Sequence, residues 1–335
     1  MRILVTGGLG FIGSNFCRHL ATADEGYEVL NVDKIGTGAN TLSLKDLNGK
    51  KTYSFVQGDI CNSKLMNKLV RKADAVVNMA AETHVDRSIL DPTLFVQNNA
   101  LGTLSILEAL RKTDQKTRLI QVSTDEVYGP AEQGSFKEEQ TLMPSNPYSA
   151  SKAAADMLVL AYHRTYGLNA VITRCTNNFG PYQFPEKFMP KTIIRGLKGL
   201  PIPIYGSGKN VRDWIYVQDH CEAILSVLKK GKPGEIYNVS SGNELSNIEV
   251  AKKILSLMDK PEKLLTFVED RPGHDLRYSL DSTKIMSTLN WKPKFAFKEG
   301  LEATVDWYSR NKWWWGPLAN ATVLNATPWK PSDTK

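Results

Sequence analysis

No apolar run in the 335 residues reaches the roughly 18 residues that a bilayer-spanning helix needs, so a helical membrane span is excluded. Met1 passes directly into the strand-like run Arg2 to Thr6, which leaves no room for a signal peptide, and a soluble cytoplasmic protein is expected. Cysteine is scarce and scattered. Cys17, Cys61, Cys175 and Cys221 form no Cys-x-x-Cys pair, which argues against a disulfide framework and against a thiolate metal site, and no metal is expected. No basic run or basic helix gathers the net charge of +7. The spread argues against nucleic acid and reads as solvated surface, although a phosphate-bearing small ligand could exploit the same excess. There is no internal repeat.

What is present is an ordinary globular composition, 41% hydrophobic and 23% charged, ample for a large core. Short Val/Ile/Leu runs at Arg2 to Val5, Val29 to Val32, Ser54 to Val56, Ala75 to Met79, Leu119 to Val122 and Ala170 to Ile172 alternate with helix-period stretches. The clearest of these stretches are Phe11 to Leu20, Leu94 to Arg111 and Lys152 to Tyr166. Near-continuous apolar strands separated by helices predict an α/β fold, a Rossmann-type doubly wound parallel sheet covered on both faces. After about Phe179 the rhythm breaks at Pro181, Pro185, Pro190, Pro201 and Pro203. The expected organisation is a dinucleotide-binding domain over 1–178 and a smaller C-terminal α/β substrate lobe over 179–312, with some crossing of the chain between them. A Trp-rich helix end and loose tail are expected over 313–335.

Gly7, Gly10 and Gly13 follow the first strand and open the first helix. Glycine suits that turn because backbone N–H groups must approach a pyrophosphate, to which the helix N-terminus offers a partial positive charge. Asp33 ends the second strand 20 residues after Gly13. A carboxylate there accepts hydrogen bonds from ribose hydroxyls and repels a 2′-phosphate, which points to NAD over NADP.

Ser123-Thr124-Asp125-Glu126 closes the fifth strand, at the end of the sheet where doubly wound folds place ligands. Neighbouring strand side chains point to opposite faces, so Asp125 and Glu126 can serve one substrate only where the chain begins to turn. Taken alone, such a pair is also what a helix cap or solvated turn would show. Tyr148 and Lys152 lie four apart on one helix face. An ammonium beside a phenol favours the phenolate, so this spacing suits a general base.

These blocks, together with Ala80 to Ser88, Asn146-Pro147-Tyr148, Asn177 to Tyr182, Lys209 to Trp214 and Arg271 to Asp275, resemble the extended short-chain dehydrogenase/reductases. Within them the chain is similar to the nucleoside-diphosphate-glucose 4,6-dehydratases, over residues 1 to about 312. The resemblance implies NAD as cofactor and a nucleotide-linked glucose as substrate. It assigns Tyr148, with Lys152, to the 4-hydroxyl proton, Thr124 to the same oxygen, Glu126 to the C5 proton as ionised base, and Asp125 to the departing 6-hydroxyl as protonated acid. An acid pair in opposite protonation states requires environments that push the two pKa values apart.

By the same resemblance Phe11, Ile12, Lys34, Asp59, Ile60, Ala80, Ala81, Asn98 and Asn178 join the glycines and Asp33 around the cofactor. Thr83, His84, Asn177, Glu186, Lys187, Arg212, Asn247, Arg271 and His274 hold the sugar nucleotide. Arg212 suits a diphosphate, its alternative being a surface ion pair with Asp213. The resemblance also implies a homodimer, built through a four-helix bundle of the helices at 94–111 and 152–166. The stretch from Lys34 to Asn40, and Asn98 where the family usually has Thr, depart from the pattern and bear on the adenosine contacts or the fit of the sugar. The nucleoside base stays open between thymine, uracil and others. So do two other readings of the chain: 4-epimerisation or decarboxylation on the same site, and a non-catalytic NAD-binding regulator.

Overall fold

The computed structural model describes residues 1–23, 25–113 and 117–330. Its strands are β1 (Arg2–Thr6), β2 (Glu28–Asp33), β3 (Tyr53–Gln57), β4 (Ala75–Asn78), β5 (Arg118–Thr124), β6 (Ala170–Cys175), β7 (Asn177–Phe179), β8 (Ile202–Tyr205), β9 (Val211–Tyr216), β10 (Ile236–Val239), β11 (Glu244–Ser246) and β12 (Leu265–Val268). Seven of them form one sheet in the order β10-β6-β5-β4-β1-β2-β3, and every pairing in it is parallel. The order reverses between β1 and β4, which opens a crevice at their carboxyl ends. One strand of the sheet, β10, comes from beyond residue 178.

The central strands are buried on both faces, as the apolar runs require. Ile3, Val5, Val77, Ile120 and Val171 pack one way with Phe16, Ile224 and Val239, and Leu4, Leu30, Val76, Leu119 and Ile172 pack the other way with Ile106, Leu110 and Val159. A third core, with Phe179, Ile193, Trp214, Ile254, Val305, Tyr308 and Trp314, lies under the smaller sheet of β11, β9 and β7.

Two expectations are corrected. The stretch Leu94 to Arg111 is not one regular helix. Pro92–Phe95 leads into a π-helical segment over Val96–Leu101, and regular helix resumes at Gly102–Arg111. The wider turn buries Asn98 and Asn99; Asn99 Nδ2 donates to the Glu82 carbonyl at 3.0 Å and to Ser151 Oγ at 2.8 Å. The described residues after Trp313, as far as Lys330, are not loose either, and the rest of the expected tail, 331–335, lies outside the described residues. Trp314, Trp315, Ala319, Leu324 and Trp329 are buried, and carbonyls of Ala319, Leu324 and Asn325 accept hydrogen bonds from Lys198, Arg195 and Lys191. Backbone groups held by cations leave no hydrophobic period to read.

Candidate active site

The glycine turn is built by backbone packing. Gly7 has φ of 69°, and a Cβ at Gly13 would stand 2.2 Å from the Gly7 carbonyl oxygen, a collision of backbone on backbone that only glycine avoids. Helix Phe11–Thr22 begins at Gly10 with no side-chain cap, so its first N–H groups stay available to an anion. Asp33 stands beside this turn: Oδ2 accepts from the Leu9 N–H at 3.0 Å and Oδ1 from the Ile35 N–H at 2.8 Å. Its carboxylate is fixed in place with lone pairs to spare. A dinucleotide fits this donor and acceptor set.

These residues line a cavity of about 280 Å³. Every position expected around the cofactor borders it: Phe11, Ile12, Lys34, Asp59, Ile60, Ala80, Ala81, Asn98, Tyr148, Lys152 and Asn178 together with the glycines and Asp33. Asn98, at the family departure, accepts from Lys34 Nζ at 2.5 Å, and Lys34 stands 3.4 Å from Glu82. A second cavity of about 160 Å³ adjoins the first and shares Thr83, Glu126, Asn177, Asn178, Glu186 and Lys187 with it. His84, Arg212, Asn247, Arg271 and His274 line the second cavity alone. Thus the structure brings all the sequence-derived positions to one continuous cleft.

Where the cavities meet, β5 ends and the chain turns at Asp125–Tyr128 into a 3₁₀ helix, so two consecutive carboxyl groups can face one volume. The Thr124 hydroxyl donates to Asp125 Oδ1 at 3.1 Å, while Asp125 Oδ2 and Glu126 Oε2 are buried without a partner among the described residues. Burial first, and Glu126 second, push the Asp125 carboxyl up to about 8. Burial also raises Glu126, but Arg271, Arg212 and Lys187 oppose it. Asp125 is therefore held protonated near neutrality beside a carboxyl whose ionised form three cations favour.

Tyr148 differs from the expectation drawn from spacing alone. Burial, then Glu126 and Cys175, hold its phenol well above the usual range, against a hydrogen bond with Thr124. The Lys152 ammonium donates to the Val122 carbonyl at 2.7 Å, and burial lowers its own pKa. Burial is the largest cause, and the neighbouring acids add to it.

Arg212 makes no ion pair with Asp213. Its guanidinium lies 4.2 Å over the Tyr278 ring and donates to the Asp275 carbonyl at 2.9 Å, whereas Asp213 is occupied by N–H groups of Ser241, Gly242 and Asn243. Arg271 pairs with Asp86 at 2.8 Å, and Lys187 donates to the Thr83 carbonyl at 2.7 Å. Burial and the two arginines lower His274 to about 4 although Asp270 faces it at 2.6 Å, and burial keeps His84 well below the ordinary value. Both histidines are neutral near pH 7. Sequence reasoning missed Gln183, Lys191, Tyr205 and Tyr278 on these walls. Gln183 directly follows the Asn177 to Tyr182 block, but nothing local marks the other three.

The family model described as GDP-mannose 4,6 dehydratase matches residues 4–304. A protein named dTDP-glucose 4,6-dehydratase from Streptomyces niveus is 46% identical over 332 residues, 98% of each chain. The solved structure of DesIV, a dTDP-glucose 4,6-dehydratase from Streptomyces venezuelae with NAD and TYD bound, is similar with a TM-score of 0.92 at 44% identity, covering 95% of this chain and 100% of that one. UDP-glucuronic acid 4-epimerase from Bacillus cereus, in complex with UDP-glucuronic acid and NAD, is similar at 30% identity with a TM-score of 0.87, covering 92% and 99%.

Proposed function

The chain belongs to the GDP-mannose 4,6-dehydratase family, and from that premise we propose that it converts dTDP-glucose to dTDP-4-keto-6-deoxyglucose and water, as an NAD-dependent hydro-lyase. The relatives' names and bound ligands carry the choice of nucleotide and cofactor. The observation that carries the reaction is the acid pair: Asp125 pushed up to about 8 next to Glu126, with an unpartnered oxygen on each and Glu126 on the wall of both cavities.

Bound in the larger cavity, NAD supplies the hydride acceptor for C4, a positive charge that favours phenolate at Tyr148, and afterwards the hydride that returns to C6. In this proposal Tyr148 takes the proton of the 4-hydroxyl as C4 becomes a ketone, with Thr124 hydrogen-bonded to the same oxygen. Lys152 stands one helical turn from the phenol on the same helix. The ketone acidifies C5, and Glu126 removes that proton. Asp125 gives its proton to the 6-hydroxyl, which leaves as water, and Glu126 returns a proton to C5 when hydride reaches C6. Arg212, Arg271 and Lys187 add positive charge along the diphosphate, and they oppose the burial that raises Glu126.

A homodimer through the helices around 96–111 and 147–166 is part of the proposal. Val96, Leu101 and Met157 are exposed there, at 48%, 53% and 46%, and would be covered in a bundle; a light-scattering mass of one chain would remove this element. The cytoplasmic placement and the division at residue 178 belong to the same proposal. The decisive experiment is a substrate panel in which NAD-loaded protein receives dTDP-glucose or UDP-glucose. A 4-keto product absorbing in alkali is expected, fastest with dTDP-glucose. Inversion at C4 without a ketone would make it an epimerase, and faster turnover of UDP-glucose would move the base to uracil.

A further inference from the structure

Residues 316–330 form an irregular strap along helix Phe188–Leu197. Three cations on and just after that helix hold its backbone: Lys198 donates to the Ala319 carbonyl at 3.2 Å, Arg195 to Leu324 at 2.7 Å and Lys191 to Asn325 at 3.0 Å. The strap ends on Trp329, 6% exposed, whose ring packs edge-on against Tyr205 at 4.5 Å. Tyr205 and Lys191 both line the smaller cavity. The strap therefore touches the back of that wall at two points while contributing no residue to its face.

Both points converge on one ionic cluster. The Tyr205 hydroxyl donates to Asp86 Oδ2 at 3.1 Å, and Asp86 Oδ1 accepts from Arg271 at 2.8 Å. Burial lowers the Lys191 ammonium to about 8 against the pull of Asp86 and Glu186, and its hydrogen bond to the Asn325 carbonyl aims it. Lys191, Arg212 and Arg271 give this cavity the cations that a diphosphate needs.

We propose that the strap is a positioning element for the nucleotide half of the substrate, with Trp329 fixing the Tyr205 ring and the Asn325 carbonyl fixing Lys191. The inference rests on the dehydratase reading and adds a determinant remote from the chemistry. Its effect falls on binding, because Asp125, Tyr148 and Lys152 line only the larger cavity and the strap touches none of them. An aromatic pair of this geometry has a modest worth, which sets an expected loss of about 3- to 10-fold in affinity for Trp329→Ala.

The test compares the full chain with Trp329→Ala, Trp329→Leu, Trp329→Phe and a chain ending at Ala326, using steady-state kinetics on dTDP-glucose and calorimetry with dTDP and with NAD. Expected are a rise of about 3- to 10-fold in KM and in the dTDP dissociation constant for the Ala and Leu variants and the shortened chain, kcat within about 2-fold, NAD affinity unchanged, and recovery of most of the loss by Phe. Should Ala fail to fold, Leu keeps the apolar bulk and carries the same expectation. Unchanged KM and dTDP binding with a lowered unfolding temperature would overturn the proposal by making the strap merely structural, as would a fall in kcat at constant KM. If the parent chain turns over UDP-glucose instead, the choice of base fails, and the same variants test the strap on that substrate.

Discussion

Changing Asp125 to Asn removes a proton donor and nearly preserves its shape. The side chain is 3% exposed, and its carboxyl is pushed from 3.8 to about 8 by burial and then by Glu126. That rise of about four units, at about 1.36 kcal/mol each, caps the cost of ionising it in the folded protein at roughly 5 to 6 kcal/mol. A raised carboxyl is bound to its proton more tightly in the folded chain than in the unfolded one. Its contribution to stability is therefore whole below about pH 4 and is lost as pH climbs through about 8. Asn cannot ionise, so Asp125→Asn should lose this slope and gain on the parent, by at most about 3 to 4 kcal/mol between about pH 5 and pH 8, in denaturant titrations at the two values. In a single turnover the same variant should oxidise the sugar at near the parent rate and stall at elimination, slowed by roughly 100- to 10,000-fold. Reduced nicotinamide absorbance should then build up and persist. A parallel pH slope in parent and variant, or equal slowing of oxidation and elimination, would refute the reasoning.

Tyr148→Phe should abolish the first hydride transfer, so no reduced nicotinamide signal should form at any time after mixing, whereas Glu126→Gln should give a persistent signal like that of Asp125→Asn. Identical traces for all three would contradict the separate roles. Gly13→Ala places a Cβ 2.2 Å from the Gly7 carbonyl and 2.8 Å from Gly8 Cα. It should eliminate measurable NAD binding and lower the unfolding temperature, and an unchanged NAD titration would count against the cradle.

How much could be read from the chain follows from how far apart the contacting residues lie. The glycine turn and Asp33 were legible because one β-α-β unit makes the whole contact, Leu9 to Asp33 included. The acid pair was legible as a strand end. The direction of the Tyr148 pKa was not, because Glu126 approaches it from the turn after β5 and Cys175 from the end of β6, and burial outweighs both. The π-helical segment at 96–101 was invisible because the apolar spacing from Leu94 to Arg111 is satisfied by either hydrogen-bond register. Tyr205 lies 124 positions before Trp329, in a strand, and their meeting depends on a strap held by carbonyls. Arg271 and Asp86 were seen inside separate blocks, but their pairing across 185 positions belongs to tertiary structure.

The central claim is that a phenol and two carboxyl groups act in turn on one hexose ring. Its most direct test is to run the reaction on dTDP-glucose in heavy water and map the label in the product. One deuterium at C5 of a 4-keto-6-deoxy sugar, with the C4 hydrogen of the substrate recovered at C6, is the predicted result. A product without deuterium at C5, or one in which the C4 hydrogen has been lost to solvent, would contradict it.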